Sequence, residues 1–186
     1  MLICELANIE ITELENALWK IGMNLHNESD AVHHEYLLFL MAKKQQLGEK
    51  VYFRSLTNIL HVFYANMNED NKNLYLNMLL AAYAQGIGKV GLGDLLEILG
   101  IIVKGCNAEQ KKRLFNFVKD HYELCLGDAT ALVSVCNCYR YMYPEQPADL
   151  RADILDMLSI LIAKNPYPEL DATLCFTLRS LRETLI

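Results

Sequence analysis

Residues 148–164 read ADLRADILDMLSILIAK, with apolar side chains at Leu150, Ile154, Met157, Leu158 and Leu161. Steps of three and four put these residues on one stripe of an α-helix, and no alternation at period two competes with it. The same steps recur in both directions from this stretch. Leu114, Phe117, Val118, His121 and Cys125 precede it, and Leu170, Leu174, Leu178, Leu181 and Leu185 follow. The chain is therefore predicted to be all-α.

Punctuation divides it into about nine helices, predicted at 3–25, 30–47, 49–67, 69–86, 93–104, 108–126, 129–143, 148–164 and 169–185. Gly48, Gly86, Gly105 and Gly127 fall just past helix ends, where a left-handed glycine closes the last turn. Asp94, Asn107 and Asp128 stand where a side-chain oxygen can accept the unpaired N–H groups of the next helix. Pro147, Pro166 and Pro168 mark helix edges.

Alternate helices begin at Ser29, Asn68, Asn107 and Gln146, each 39 residues after the last. Aligned on those starts, the eighth column holds Tyr36, Tyr75, Leu114 and Asp153. The ninth holds Leu37, Leu76, Phe115 and Ile154, and the twelfth Leu40, Leu79, Val118 and Met157. Apart from Asp153 the columns are largely apolar, as expected when one face of each helix is buried in the same way. Two helices per unit at this period resemble the HEAT/armadillo class of α-solenoid, over roughly residues 29–185. The resemblance rests on helix number and spacing, and it implies a single domain, 1–186, as an antiparallel array of helical hairpins. Residues 29–186 would form about four hairpin units, and 1–28 a polar capping helix with Trp19 as its packing anchor. An irregular helical bundle is the alternative, because 15-residue helices with short turns produce similar spacings.

Composition narrows the function. Of 186 residues 53% are hydrophobic and 22% charged, enough for a packed core. Lys and Arg number 17 against 23 Asp and Glu, a net charge of -6, which disfavours binding nucleic acid through its phosphates. The N-terminus carries Glu5, Glu10, Glu13 and Glu15 without a basic segment, and no apolar run approaches a membrane span, so a cytoplasmic protein without membrane partners is expected. Six cysteines (Cys4, Cys106, Cys125, Cys136, Cys138 and Cys175) lie mostly in apolar stretches and are read as reduced, buried thiols.

Several motifs carry less chemistry than their letters suggest. Gly86-Ile87-Gly88-Lys89-Val90-Gly91 spells G-x-G-x-x-G, but it follows a helical stretch rather than a strand and has no Ser or Thr after its Lys. His121 and Cys125 share a helix face, yet Cys136 and Cys138 project about 200° apart, so the four do not converge on a metal. His33-His34 and the cluster Lys111-Lys112-Arg113 read as solvated helix faces. Tyr139-Arg140-Tyr141-Met142-Tyr143 stands out, since three tyrosines around a helix end cannot all point inward and Tyr and Arg are favoured at binding hot spots.

The expected function is a non-enzymatic protein–protein interaction module, an adaptor, regulator, inhibitor or chaperone-like protein, with no cofactor and no metal. The competing classes are an enzyme with a Cys/His-based site and a secreted bacterial effector acting on a host protein. In a two-helix array the second helices line the groove, which assigns partner binding to Arg54, Asn58 and His61, to Glu97 and Lys104, to Asn137, Arg140 and Tyr143, and to Arg179 and Arg182. Four arginines among them predict an acidic or mixed-charge peptide as the partner.

Overall fold

The computed structural model describes residues 6, 9–86, 92–144 and 146–184, and at 11–12, 58–63, 83–86 and 92–94 it describes the backbone alone. The chain divides into two compact units, Met1–Val90 and Gly91–Ile186. The first unit contains α1 (Ile11–Asn24), α2 (Asp30–Phe63) and α3 (Glu69–Gly86). The second contains α4 (Leu92–Ile102), α5 (Ala108–Asp120), α6 (Tyr122–Cys125), α7 (Ala129–Met142), α8 (Ala148–Lys164) and α9 (Asp171–Glu183). No strand occurs among the described residues.

Three turns are built alike. Single 3-10 turns cover Leu25–Asn27, Tyr64–Asn66 and Val103–Gly105, so their starts are 39 residues apart. In each, a backbone N–H three residues on donates to the first carbonyl: Glu28 to Leu25, Met67 to Tyr64, Cys106 to Val103. The next helices then open with equivalent bonds, from the N–H of His33 to Ser29, of Lys72 to Asn68 and of Lys111 to Asn107. Asn107 completes a capping box with Gln110, and Asp128 caps α7 by accepting from the N–H groups of Thr130 and Ala131. Asn68 caps α3 by accepting from the Asn71 N–H at 2.9 Å.

The fourth turn repeats this pattern, with the Gln146 N–H donating to Tyr143, but it begins 40 rather than 39 residues after the third, so one residue is inserted between Val118 and Tyr143. α8 opens with the Arg151 N–H donating to Pro147, which is its N-cap. Moving the register by one puts Ile154, not Asp153, in the column of Tyr36, Tyr75 and Leu114, and all four are fully buried. Leu158 likewise joins Leu40, Leu79 and Val118 in the core, while Asp153 is exposed. The exception at Asp153 reflects one residue inserted ahead of this turn, which a fixed 39-residue count misaligns.

Packing inside Met1–Val90 repeats one device. The Tyr36 hydroxyl donates to the Leu18 carbonyl at 3.0 Å and the Tyr75 hydroxyl to the Leu56 carbonyl at 2.7 Å. Each phenol thus enters the core with its polar end satisfied, and burial raises the pKa of both. In Gly91–Ile186, α4 packs along α7, α8 pairs with α9, and α5 contacts both α7 and α8.

Several expected boundaries need correction. The helix predicted over 3–25 is interrupted, because Glu10 is extended (φ −62°, ψ 145°) and α1 begins only at Ile11. The helix predicted over 108–126 breaks at His121 (φ −117°, ψ 12°). Asp94 lies inside α4 rather than ahead of it. Gly48 breaks α2 into arms 30–47 and 49–63 through φ 72° and ψ 161°, an extended conformation close to glycine's alone rather than a left-handed helical cap. Among the described glycines it alone has a positive φ, so Gly105 and Gly127 close their turns without one.

Candidate functional site

The seam between α4 and α7 brings charged, amide and aromatic side chains together in Gly91–Ile186. α4 buries Leu95, Leu96, Leu99 and Ile102, and α7 buries Ala131, Leu132, Val135, Cys138, Tyr139 and Met142. Small residues keep the axes close: the Cys138 thiol donates to the Leu96 carbonyl at 3.1 Å, and a β-carbon on Gly100 would sit 3.6 Å from that sulfur. Above this floor lies a groove of about 290 Å³ lined by Glu97, Gly100, Ile101, Lys104, Asn137 and Tyr141. Lys104 Nζ stands 4.0 Å from the centroid of the Tyr141 ring, a cation–π contact that holds both at one end. Glu97 is seven residues earlier, inside α4, while Lys104 stands in the 3-10 turn that continues it, about 10 Å further along the axis.

A groove of similar size, about 290 Å³, lies in Met1–Val90 between α1 and the arm 49–63, lined by Glu15, Asn16, Trp19, Arg54 and Ser55. Arg54 donates to Glu15 at 3.1 Å, with side chains 62% and 44% exposed. So open an ion pair adds little stability. Trp19 is 51% exposed, so it is not the packing anchor expected of it.

Of the residues expected to bind a partner, Glu97, Lys104 and Asn137 come together in the α4/α7 groove, and Arg54 lines the α1/α2 groove. The side chains of Asn58 and His61 lie outside the described residues. Arg140 is exposed but does not line the α4/α7 groove. Tyr143 is corrected outright: it is 2% exposed, beneath the Arg151 guanidinium. Arg179 and Arg182 border a separate depression of about 440 Å³ between α8 and α9, with Ile162, Cys175 and Leu178. Within Gly91–Ile186 the arginines therefore do not share one groove, and the charge at α4/α7 is mixed. Tyr141, which sequence reasoning did not select, is the exposed tyrosine of its run. The signal was available, since Tyr141 follows Asn137 by four residues and shares its helix side, whereas Tyr143 does not.

The other motifs resolve into structure. His33 is buried and donates from Nε2 to the Leu25 carbonyl at 2.7 Å, not solvated as expected. Lys111 is also buried, in contrast to its exposed neighbour Lys112. The Cys125 thiol faces the His121 backbone carbonyl at 3.8 Å, and the His121 ring bonds through Nδ1 to the Phe117 carbonyl at 2.8 Å. Burial pushes the thiols of Cys125 and Cys136 up to about 12, which keeps them protonated and weakly nucleophilic at neutral pH. Residues 87–91 of the glycine-rich stretch lie outside the described residues, and the chain before them is the helix α3. Among the described residues no group of three His, Cys, Asp or Glu side chains could hold a metal ion, and no helix is long and apolar enough to cross a membrane.

Comparison with known proteins finds no family model, no curated protein and no solved structure that matches the chain.

Proposed function

We propose that this protein is a non-enzymatic protein–protein interaction module of the HEAT/armadillo kind, binding a mixed-charge peptide segment of its partner along the α4/α7 groove. The observation that carries this reading is Tyr141, an exposed aromatic ring held by Lys104 on the rim of a groove whose other end is Glu97. Aromatic residues at such positions supply large contact area with few rotatable bonds, and they dominate the energetics of many interfaces. Glu97 and Lys104 would select a segment presenting a basic and an acidic side chain on one side, about 10 Å apart. Trp19 beside Arg54 and Glu15 gives the α1/α2 groove comparable chemistry. The recurring turns and buried columns support the helical-repeat part of the proposal, and the burial of Cys125, Cys136 and Cys138 speaks against a nucleophile at those three thiols, whereas Cys175, expected to be buried, is exposed.

The test is affinity capture from the native host with wild-type protein and with Tyr141→Ala. Tyr141 is at the surface, so the variant should keep the wild-type melting temperature and lose its partner by about ten-fold or more. A partner retained equally by Tyr141→Ala, or by the charge exchange Glu97→Lys with Lys104→Glu, would remove this groove from consideration.

A further inference from the structure

α7 and α9 repeat one another at the 39-residue interval. Val135, Cys138 and Met142 are buried, and so are Leu174, Thr177 and Leu181, each 39 residues further on. On α7 this side meets α4, through the Cys138 thiol and the Leu96 carbonyl, and α9 in its turn packs against α7. The neighbouring side of α7, at Cys136, Tyr139 and Tyr143, is buried as well. Phe115 of α5 lies against Tyr139, with ring centroids 5.7 Å apart, and α8 lays Arg151 over the Tyr143 ring, 6.0 Å from its centroid. On α9 the same side holds Cys175, Leu178 and Arg182, and here it is open. Cys175 and Arg182 are exposed and Leu178 is half-buried. With Ile162 of α8 these residues line the depression of about 440 Å³. It stands to α8 and α9 as the seat of α8 stands to α5 and α7.

Charge indicates what the occupant must carry. Arg182 takes the place of Tyr143, and Arg179 lies one turn before it on the rim. Among the described residues neither guanidinium forms an ion pair. Glu183 also borders the depression, which leaves the rim basic by one charge.

We infer that this depression seats an amphipathic helix of a partner protein, with an apolar stripe toward Ile162 and Leu178 and a carboxylate toward Arg182. A helix is the element that fills the equivalent seat within this chain, and an apolar stripe laid in a groove is a recurring mode of helix recognition. Where α8 offers Arg151 to the Tyr143 ring, Arg182 repels a cation and attracts an acid, with which a guanidinium makes two parallel bonds. The seat is separate from the α4/α7 groove and rests on the equivalence of α7 and α9 alone.

The probe is the α8 segment as a peptide, residues 148–164 with Arg151→Glu, titrated into the isotopically labelled full chain, with the unaltered segment as the comparison. The Glu peptide should bind about ten-fold tighter than the unaltered one and shift the Ile162 and Leu178 methyl resonances. Arg182→Glu, at an exposed position, should keep the melting temperature and invert the preference. Should that variant fail to fold, Arg182→Gln decides, and it should bring the two peptides to equal affinity. Equal binding of both peptides to the wild type, or no binding at millimolar peptide, would overturn the inference. So would a preference that the Arg182 variants leave unchanged, or shifts confined to Leu114 and Tyr139, in the seat of α8 itself. Dimers in sedimentation that Arg182→Glu dissolves would give the seat to a second copy of the chain and overturn the partner helix.

Discussion

Asn71 shows how one polar side chain can fix the join between two helices. It is buried in α3, its Nδ2 donates to the Asp30 carbonyl at 2.8 Å, and its Oδ1 meets His34 Nδ1 at 2.9 Å. Because the amide oxygen can only accept, His34 carries its proton on Nδ1. Asp30 in turn accepts from the Asn68 N–H at 2.9 Å, so the entry into α3 is tied to the start of α2 at several points. Asn71→Leu keeps the volume but removes the second bond to the Asp30 carbonyl, which retains its helical partner, and the bond to His34 Nδ1. A loss of about 2–3 kcal/mol is expected from the denaturant midpoint, at unchanged slope. A loss below half that would mean water replaces the amide. The sequence shows an Asn near a helix start, but its partners lie 37 and 41 residues away and no local pattern announces them.

At the scale of elements, the helix ends were the most legible feature and their conformations the least. Asn107 and Asp128 cap the helices that their side chains suggest, because capping is chemistry between neighbours in sequence. Gly48 was recognisable as a break, yet its extended positive-φ geometry comes from how the two arms of α2 must leave it. A β-carbon on Gly48 would meet nothing within 4 Å, so the cost of Gly48→Ala is purely one of backbone conformation. It should destabilise the protein by about 1–3 kcal/mol. Thermal unfolding of the variant measures this, and an unchanged melting temperature would show that the arms can rejoin through another conformation. The same elements explain the tyrosine run. On α7 the face covered by α4 and α5 takes Tyr139, and the turn beyond takes Tyr143, which leaves Tyr141 at the groove.

For the molecule as a whole, the buried thiols predict a specific response to alkali. Burial, with the Cys125 charge contributing at Cys136, raises these two thiols from 9.0 to about 12. Burial also raises Tyr52 from 10.0 to about 12. In the unfolded chain the thiols would release their protons from about pH 9 upward, while the folded protein holds them. Between those values the folded state binds more protons, so stability falls as pH rises, by about 1.4 kcal/mol per pH unit for each group at full effect. Melting temperatures measured from about pH 8 to 11 should be level at first and then decline, and Cys136→Ala should flatten the decline. A level profile throughout would mean that both thiols ionise in the fold as readily as in water.

The sequence by itself determined the helices, the order in which they follow, most of their ends and the 39-residue recurrence. Each of these arises from forces that act over a few neighbouring residues: hydrogen bonds to the fourth residue back, apolar side chains at steps of three and four, caps within three positions. Tertiary structure decided which edge of each apolar stripe is covered. It put Trp19 and Tyr141 at the surface and Tyr143, His33 and Lys111 inside, and it left the Gln146 oxygen unpaired. It also decided that the residue added before α8 advances the register, so that Ile154 rather than Asp153 meets the core. A helix presents all its faces equally in sequence. Only the neighbours it packs against, tens of residues away, determine which of them water still reaches.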